Sequence, residues 1–119
     1  MTKGRTIEEI IAAHEARDAS LRNVFMQRNV DLRESRMIEC HFWTWNREDA
    51  NRLGEALEKR GFQILVQRPA AIAGDPNRWN LEAAIRQSID LTMRREFIDE
   101  LVRLADSHRG EYDGWGTRI

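Results

Sequence analysis

The sequence predicts an α+β domain of the ferredoxin-like, split β-α-β type, ordered β-α-β-β-α-β, with an additional helix at its N-terminal end. Three observations carry the prediction. Apolar residues recur at helical spacing in three stretches and alternate at strand spacing in the others. The second and third helical stretches are separated by a pair of strands, the pattern of a sandwich with both helices on one sheet face. A chain of 119 residues builds one core and not two. We divide it into an N-terminal helix and connector, 1–35, and a ferredoxin-like domain, 36–119, a single domain overall.

The first helix is predicted over 6–28. Ile7, Ile10, Ile11, His14, Leu21, Val24 and Phe25 fall near one face, interrupted at Asp18. Thr6 with Glu9 fits a capping box. Packing on its own domain and lying in a partner's groove are both open to this helix. A polar connector follows over 29–35. Residues 37–45 alternate, with Ile38, Cys40 and Phe42 on one side and Met37, Glu39, His41, Trp43 and Trp45 on the other. Asn46 caps a helix over 47–60 that turns Ala50, Leu53 and Leu57 inward and ends at Gly61. The second strand is 62–66. Both prolines and a Gly74-Asp75-Pro76 turn signal mark 68–77 as a loop. Trp79, Leu81, Ala83 and Ile85 alternate with Asn80, Glu82, Ala84 and Arg86 in the third strand. Thr92 is the expected cap of a last helix to His108, with Phe97, Ile98, Leu101, Leu104 and Ala105 inward. The final strand follows Gly110.

In this topology the first and third strands are central and the second and fourth are edges. Both core helices lie on one sheet face. The other face is solvated, covered by the N-terminal helix, or used to bind something. It carries His41, Trp43 and Trp45, a large aromatic surface for a solvated face. The N-terminal helix and a partner protein are the two covers that fit. A register slip of one residue would exchange the two faces.

Composition narrows the function. Nineteen Lys and Arg against twenty Asp and Glu leave a net charge of −1, which argues against a general electrostatic grip on nucleic acid. The lone cysteine, Cys40, has no partner for an internal disulfide. No apolar run approaches the roughly 20 residues of a membrane helix. Residues 1–6 lack the apolar core of a signal peptide, so a cytoplasmic protein with no membrane contact is expected.

Candidates for chemistry do not assemble into a set. Cys40 and His41 are adjacent on a strand and point to opposite faces, so they cannot act as nucleophile and base. His14 and Asp18 stand four residues apart on a helix, but two ligands are not a metal site. His108 suits a helix C-terminus. Glu111 and Asp113 share a side of a strand, yet no nucleophile motif or Gly-rich phosphate loop accompanies them. No catalytic residue, metal or cofactor is assigned, and the chain is not expected to be an enzyme. An RNA-binding sheet would present aromatics such as His41 and Trp43. Here Glu39 shares that face, and the RNA-recognition consensus is missing from the third strand.

The most informative segment is Gly110-Glu111-Tyr112-Asp113-Gly114-Trp115. Gly110 follows a helical pattern and suits the left-handed C′ position. Asp113-Gly114 reads as a turn or bulge. Tyr112 and Trp115 bury well but need hydrogen-bond partners. The segment resembles the C-terminal signature of the regulator of ribonuclease activity B family, small bacterial proteins that bind and inhibit ribonuclease E. The aromatic strand 38–45 and the helix ending at Gly61-Phe62 resemble that family less strongly, and the resemblance covers most of 36–119. The chain is less acidic than the family usually is. The resemblance implies a non-enzymatic inhibitor that binds a ribonuclease E-like endonuclease. We place the expected partner contacts at Glu39, His41, Trp43 and Asp113. The alternative is a ferredoxin-like module for RNA or a small ligand.

Overall fold

The computed structural model describes residues 5–71, 74 and 77–119. In chain order its elements are α1 (Ile7–Gln27), β1 (Ser35–Thr44), α2 (Arg47–Lys59), β2 (Gln63–Pro69), β3 (Trp79–Ser88), the single-turn α3 (Ile89–Thr92), α4 (Arg95–Ser107) and β4 (Gly110–Gly116). The fold is α+β. The strands form one antiparallel sheet in the order β2-β3-β1-β4, so β1 and β3 are central and β2 and β4 are edges, as the alternation predicts. Of the predicted Gly74-Asp75-Pro76 turn, Asp75 and Pro76 lie outside the described residues.

Helix ends follow local chemistry. The Thr6–Glu9 capping box is present in both directions, with Glu9 N–H donating to Thr6 Oγ1 at 3.1 Å and Thr6 N–H to Glu9 Oε1 at 2.7 Å. Asn46 Oδ1 accepts from Asp49 N–H at 2.8 Å and starts α2. At the far end of α2, Gly61 N–H donates to Glu58 O and Phe62 N–H to Leu57 O, the double bond of a Schellman motif. Phe62, the residue after the turn, is buried against the core and not part of β2. Asn29 closes α1 the same way at φ 57.

Two expectations are corrected here, and one open alternative is decided. Thr92 does not cap the last helix. Ser88 caps α3, Thr92 is buried with its hydroxyl donating to Ser88 O, and α4 begins only at Arg95, after Arg94 without a side-chain cap. Gly110 is not the C′ residue of α4. Arg109 takes the left-handed conformation at φ 55, and Gly110 is already in β4. Its lack of a side chain has another cause: a Cβ there would lie 2.5 Å from the backbone oxygen of Trp43. Finally, the N-terminal helix does not cover the aromatic face of the sheet.

That last point follows from what the core contains. Ile38, Cys40 and Phe42 of β1 and Leu81 and Ala83 of β3 face one side. Leu53 and Leu57 of α2 and Ile98, Leu101, Val102 and Ala105 of α4 pack into the same cluster. So do Ile11 and Phe25 of α1. All three long helices therefore share one face. The inward stripe of α1 runs Ile7, Ile11, His14, Asp18, Leu21, Phe25, in steps of four and three residues. Asp18 continues the stripe and does not interrupt it, while Val24 is exposed. Phe97 and Leu104 of α4 are only partly buried at the margin of the cluster.

Two glycines of β4 separate close packing from open space. Gly110→Ala should lower stability by about 1–3 kcal/mol, because backbone must move to admit the methyl group. Gly116, with nothing within 4 Å of a built Cβ, should accept Ala within about 0.5 kcal/mol. Urea unfolding of the two variants checks both, and equal midpoints would contradict the assignment.

Candidate functional site

The C-terminal strand is held by α1, and the hold shapes everything around it. Trp115 lies opposite Cys40 and Tyr112 opposite Phe42, so both rings enter the core beneath α1. The Trp115 indole N–H donates to Asp18 Oδ1 at 3.0 Å. The His14 ring stacks on Tyr112 at 4.8 Å, and its Nε2 lies 3.0 Å from Tyr112 O. Arg17 Nη2 donates to Trp115 O at 3.3 Å. Strand β4 is an edge, and His14 and Arg17 occupy carbonyls that an edge would otherwise offer to another strand. Between the two rings the strand carries one extra residue. Pairing with β1 shifts between His41 and Phe42, and Gly114 takes φ 116. The Asp113-Gly114 pair is thus a β-bulge. A Cβ on Gly114 would also collide with the Arg17 guanidinium.

Burial sets the ionisation of this cluster. The Asp18 carboxyl is pushed above its ordinary range by desolvation, against the opposing pull of the indole hydrogen bond and of Arg17 and Arg22. Its Oδ2 has no partner among the described residues. Desolvation lowers the His14 imidazole; the Tyr112 carbonyl and Asp113 pull it up, and Arg17 and Arg5 push it further down. The Cys40 thiol is pushed up to about 12 by burial, so it is a neutral core side chain at physiological pH. The Tyr112 phenol is raised well above 10 for the same reason. His14 and Asp18, weighed as a ligand pair, each have another occupation. Among the described residues no three His, Cys, Asp or Glu are placed to hold a metal ion.

Among the described residues no helix lies over the opposite sheet face. Glu39 is exposed, and His41 and Trp43 are half-buried. Met37 and Trp45 are exposed, Trp45 at 53%. Trp43 and Trp45 meet edge to face at 4.8 Å. The Arg78 guanidinium lies 4.1 Å from the centre of the Trp43 ring, within cation–π range. His41 Nδ1 is 3.7 Å from Glu82 Oε2 across the β1–β3 pair. A shallow depression joins His41, Trp43, Arg78, Asn80, Glu82 and Asp113.

Of the residues singled out from sequence, His41, Trp43 and Asp113 line this one depression, and Glu39 stands next along β1. Gly110, Glu111, Tyr112, Gly114 and Trp115 lie in the same strand but serve two sides. Tyr112 and Trp115 face the core, and Glu111 pairs with Trp43. Sequence reasoning did not find Arg78 or Glu82. Glu82 joins the group only through the β1–β3 register, and Arg78 only because the β2–β3 connection ends above Trp43. An arginine just before a strand of aromatic neighbours was the one available signal.

Comparison with known proteins bears on the family of the chain and not on these side chains. A family model described as Regulator of ribonuclease activity B matches residues 15–117. A protein of Psychromonas ingrahamii named Regulator of ribonuclease activity B is 22% identical over 117 residues, 98% of this chain and 97% of that protein. Another of the same name from Alteromonas mediterranea is 25% identical over 80 residues, 67% of this chain and 61% of that protein.

Two measurements test the buried cluster. Asp18→Leu keeps the apolar stripe but leaves the indole N–H unpaired, and should cost about 1–3 kcal/mol. Asp18→Asn retains an acceptor for the indole N–H and should stay within about 1 kcal/mol of the parent. Equal stability of the leucine variant and the parent would show that the hydrogen bond contributes nothing. For His14, whose folded pKa is lowered, the unfolded chain binds the proton more readily. Its contribution is complete above 6.5 and is lost as pH falls below 6.5 toward the folded value. His14→Gln should flatten the melting-temperature profile over that interval, and an unchanged slope would assign the pH dependence to another group.

Proposed function

Because the chain belongs to the regulator of ribonuclease activity B family, we propose that it regulates RNA decay by binding and inhibiting a ribonuclease E-type endonuclease, with no catalysis of its own. The observation that carries this reading is the uncovered sheet face with Trp43 and Trp45 at one end, while α1, α2 and α4 all pack on the other side. Exposed aromatic rings beside polar groups are the usual anchors of protein–protein contacts. Glu39, His41, Trp43 and Asp113 are the proposed contacts. Among the described residues no helix is long and apolar enough to cross a membrane. A cytoplasmic site of action is part of the proposal. So is a ferredoxin-like domain over 36–119, which the order β2-β3-β1-β4 supports, with α1 bracing it.

The test is direct. Trp43→Ala should weaken binding to a ribonuclease E homologue by about tenfold or more, the loss of roughly 1.4 kcal/mol or more, while circular dichroism stays unchanged. The competing reading, a stacking platform for single-stranded RNA, predicts tight RNA binding that survives added salt and no ribonuclease complex.

A further inference from the structure

Resting on that reading, we infer that the half of the open face formed by β1 and β4 receives a basic, arginine-bearing segment of the partner protein, and that Arg78 occupies its principal subsite in the free protein. The first support is charge. Glu39, Glu111 and Asp113 lie along this half, and none has an ion pair among the described residues. Elsewhere on the surface several carboxylates are engaged, although Asp31, Glu55, Glu58, Glu96 and Asp106 also make no ion pair among the described residues. Glu8 and Glu15 of α1 bind Arg95 and Arg103 of α4, and Arg22 binds Asp90. The face is not uniformly acidic. Arg68 and Arg86 lie on the β2–β3 half, opposite Asn80 and Met37 respectively, so the two halves differ in sign.

The second support is the aromatic wall. Trp43 separates two depressions. On one side is the hollow with His41, Glu82 and Asp113. On the other is a groove of about 300 Å³ in which Trp43, Trp45 and Glu111 meet Ile7 and Ile10 of α1, with Asp106 and two cations, Arg5 and Arg109, also lining it. An extended segment that crosses Trp43 thus meets carboxylates on both sides and apolar side chains at one end. A guanidinium suits this place better than an ammonium, since it stacks flat on an indole and reaches a carboxylate at the same time.

The third support is Arg78 itself. It already holds a guanidinium over the Trp43 ring, which shows that the ring face is sterically open to one. It is poorly secured there. Among the described residues its buried Nε has no hydrogen-bond partner, and it makes no ion pair there although Glu82 and Asp113 line the same hollow. A partner arginine that also reached Asp113 or Glu111 would displace it at little loss.

The experiment compares charge variants of the full chain against the ribonuclease and, independently, against a synthetic peptide of alternating arginine and glycine. Glu39→Lys combined with Asp113→Lys should weaken both interactions by about tenfold, with steep salt dependence in the parent. Arg68→Glu with Arg86→Glu should leave both within about twofold, since those cations lie away from the contact. Arg78→Ala, by removing the internal competitor, should tighten the peptide complex and shift the Trp43 indole N–H resonance on titration. The inference is overturned if the basic-half variants lose binding instead, if a glutamate–glycine peptide binds as well as the arginine peptide, or if Arg78→Ala weakens the peptide complex. Loss of ribonuclease binding on Trp43→Ala together with any of these results leaves the protein-contact reading standing. Retention of full ribonuclease binding by Trp43→Ala removes that reading as well.

Discussion

The structure depends on one buried contact, the hydrogen bond from the Trp115 indole to the Asp18 carboxylate. A tryptophan brings a large apolar surface into the core and one polar atom that must be satisfied there. Asp18 satisfies it from the middle of the inward stripe of α1, at 3.0 Å. The bond sets the rotation of α1 about its axis. With Asp18 turned to Trp115, Ile11 and Phe25 enter the core one heptad to either side, and His14 and Arg17 come to the outer edge of β4. An apolar residue in place of Asp18 would allow the helix to roll, and a carboxylate there is unfavourable unless it is paired.

The placement of α1 decides which surface remains free. Three helices share one face of a four-stranded sheet, and they need the whole of that face. The other face is left with the aromatic and charged side chains of alternate positions in β1 and β3. The same bulge that seats Trp115 under α1 carries Asp113 to the opposite side, beside His41. A structural device on one face thus contributes a side chain to the candidate contact surface on the other.

Much of this was legible in the sequence, and the reasons for the rest are specific. Strand alternation in β1 and β3 sorted Ile38, Cys40 and Phe42 from Glu39, His41 and Trp43 correctly, because a period of two leaves no ambiguity once one face is apolar. The capping box at Thr6 and the glycine after α2 are local chemistry and were readable as such. In sequence Asp18 looks like a break in an apolar stripe, since nothing near it reveals an indole 97 residues away. Gly110 suits a helix end by type, because glycine is common there. Its actual constraint is the close approach of Trp43 O, a contact between strands that only register discloses. Thr92 was a reasonable cap by type, but the chain first makes a turn at α3 and uses Ser88. Of the candidate site, the aromatic half was visible, and the hollow with Arg78 and Glu82 required the third strand to be placed beside the first.

The grip of α1 on β4 also bears on how the chain acquires its structure. The residues that position the first helix are supplied by the last strand of the sheet, so the contacts joining His14, Arg17 and Asp18 to Tyr112 and Trp115 are among the longest in sequence that the fold contains. During synthesis, at about 5–20 residues per second, α1 emerges several seconds before its partner. For most of that interval α4, on which its stripe of isoleucine, leucine and phenylalanine also packs, has not been made either. The edge of β1 that β4 will cover is open for the same time. Completion of this fold is therefore a closing event, in which one strand pairs with the sheet and fixes the first helix in the same step.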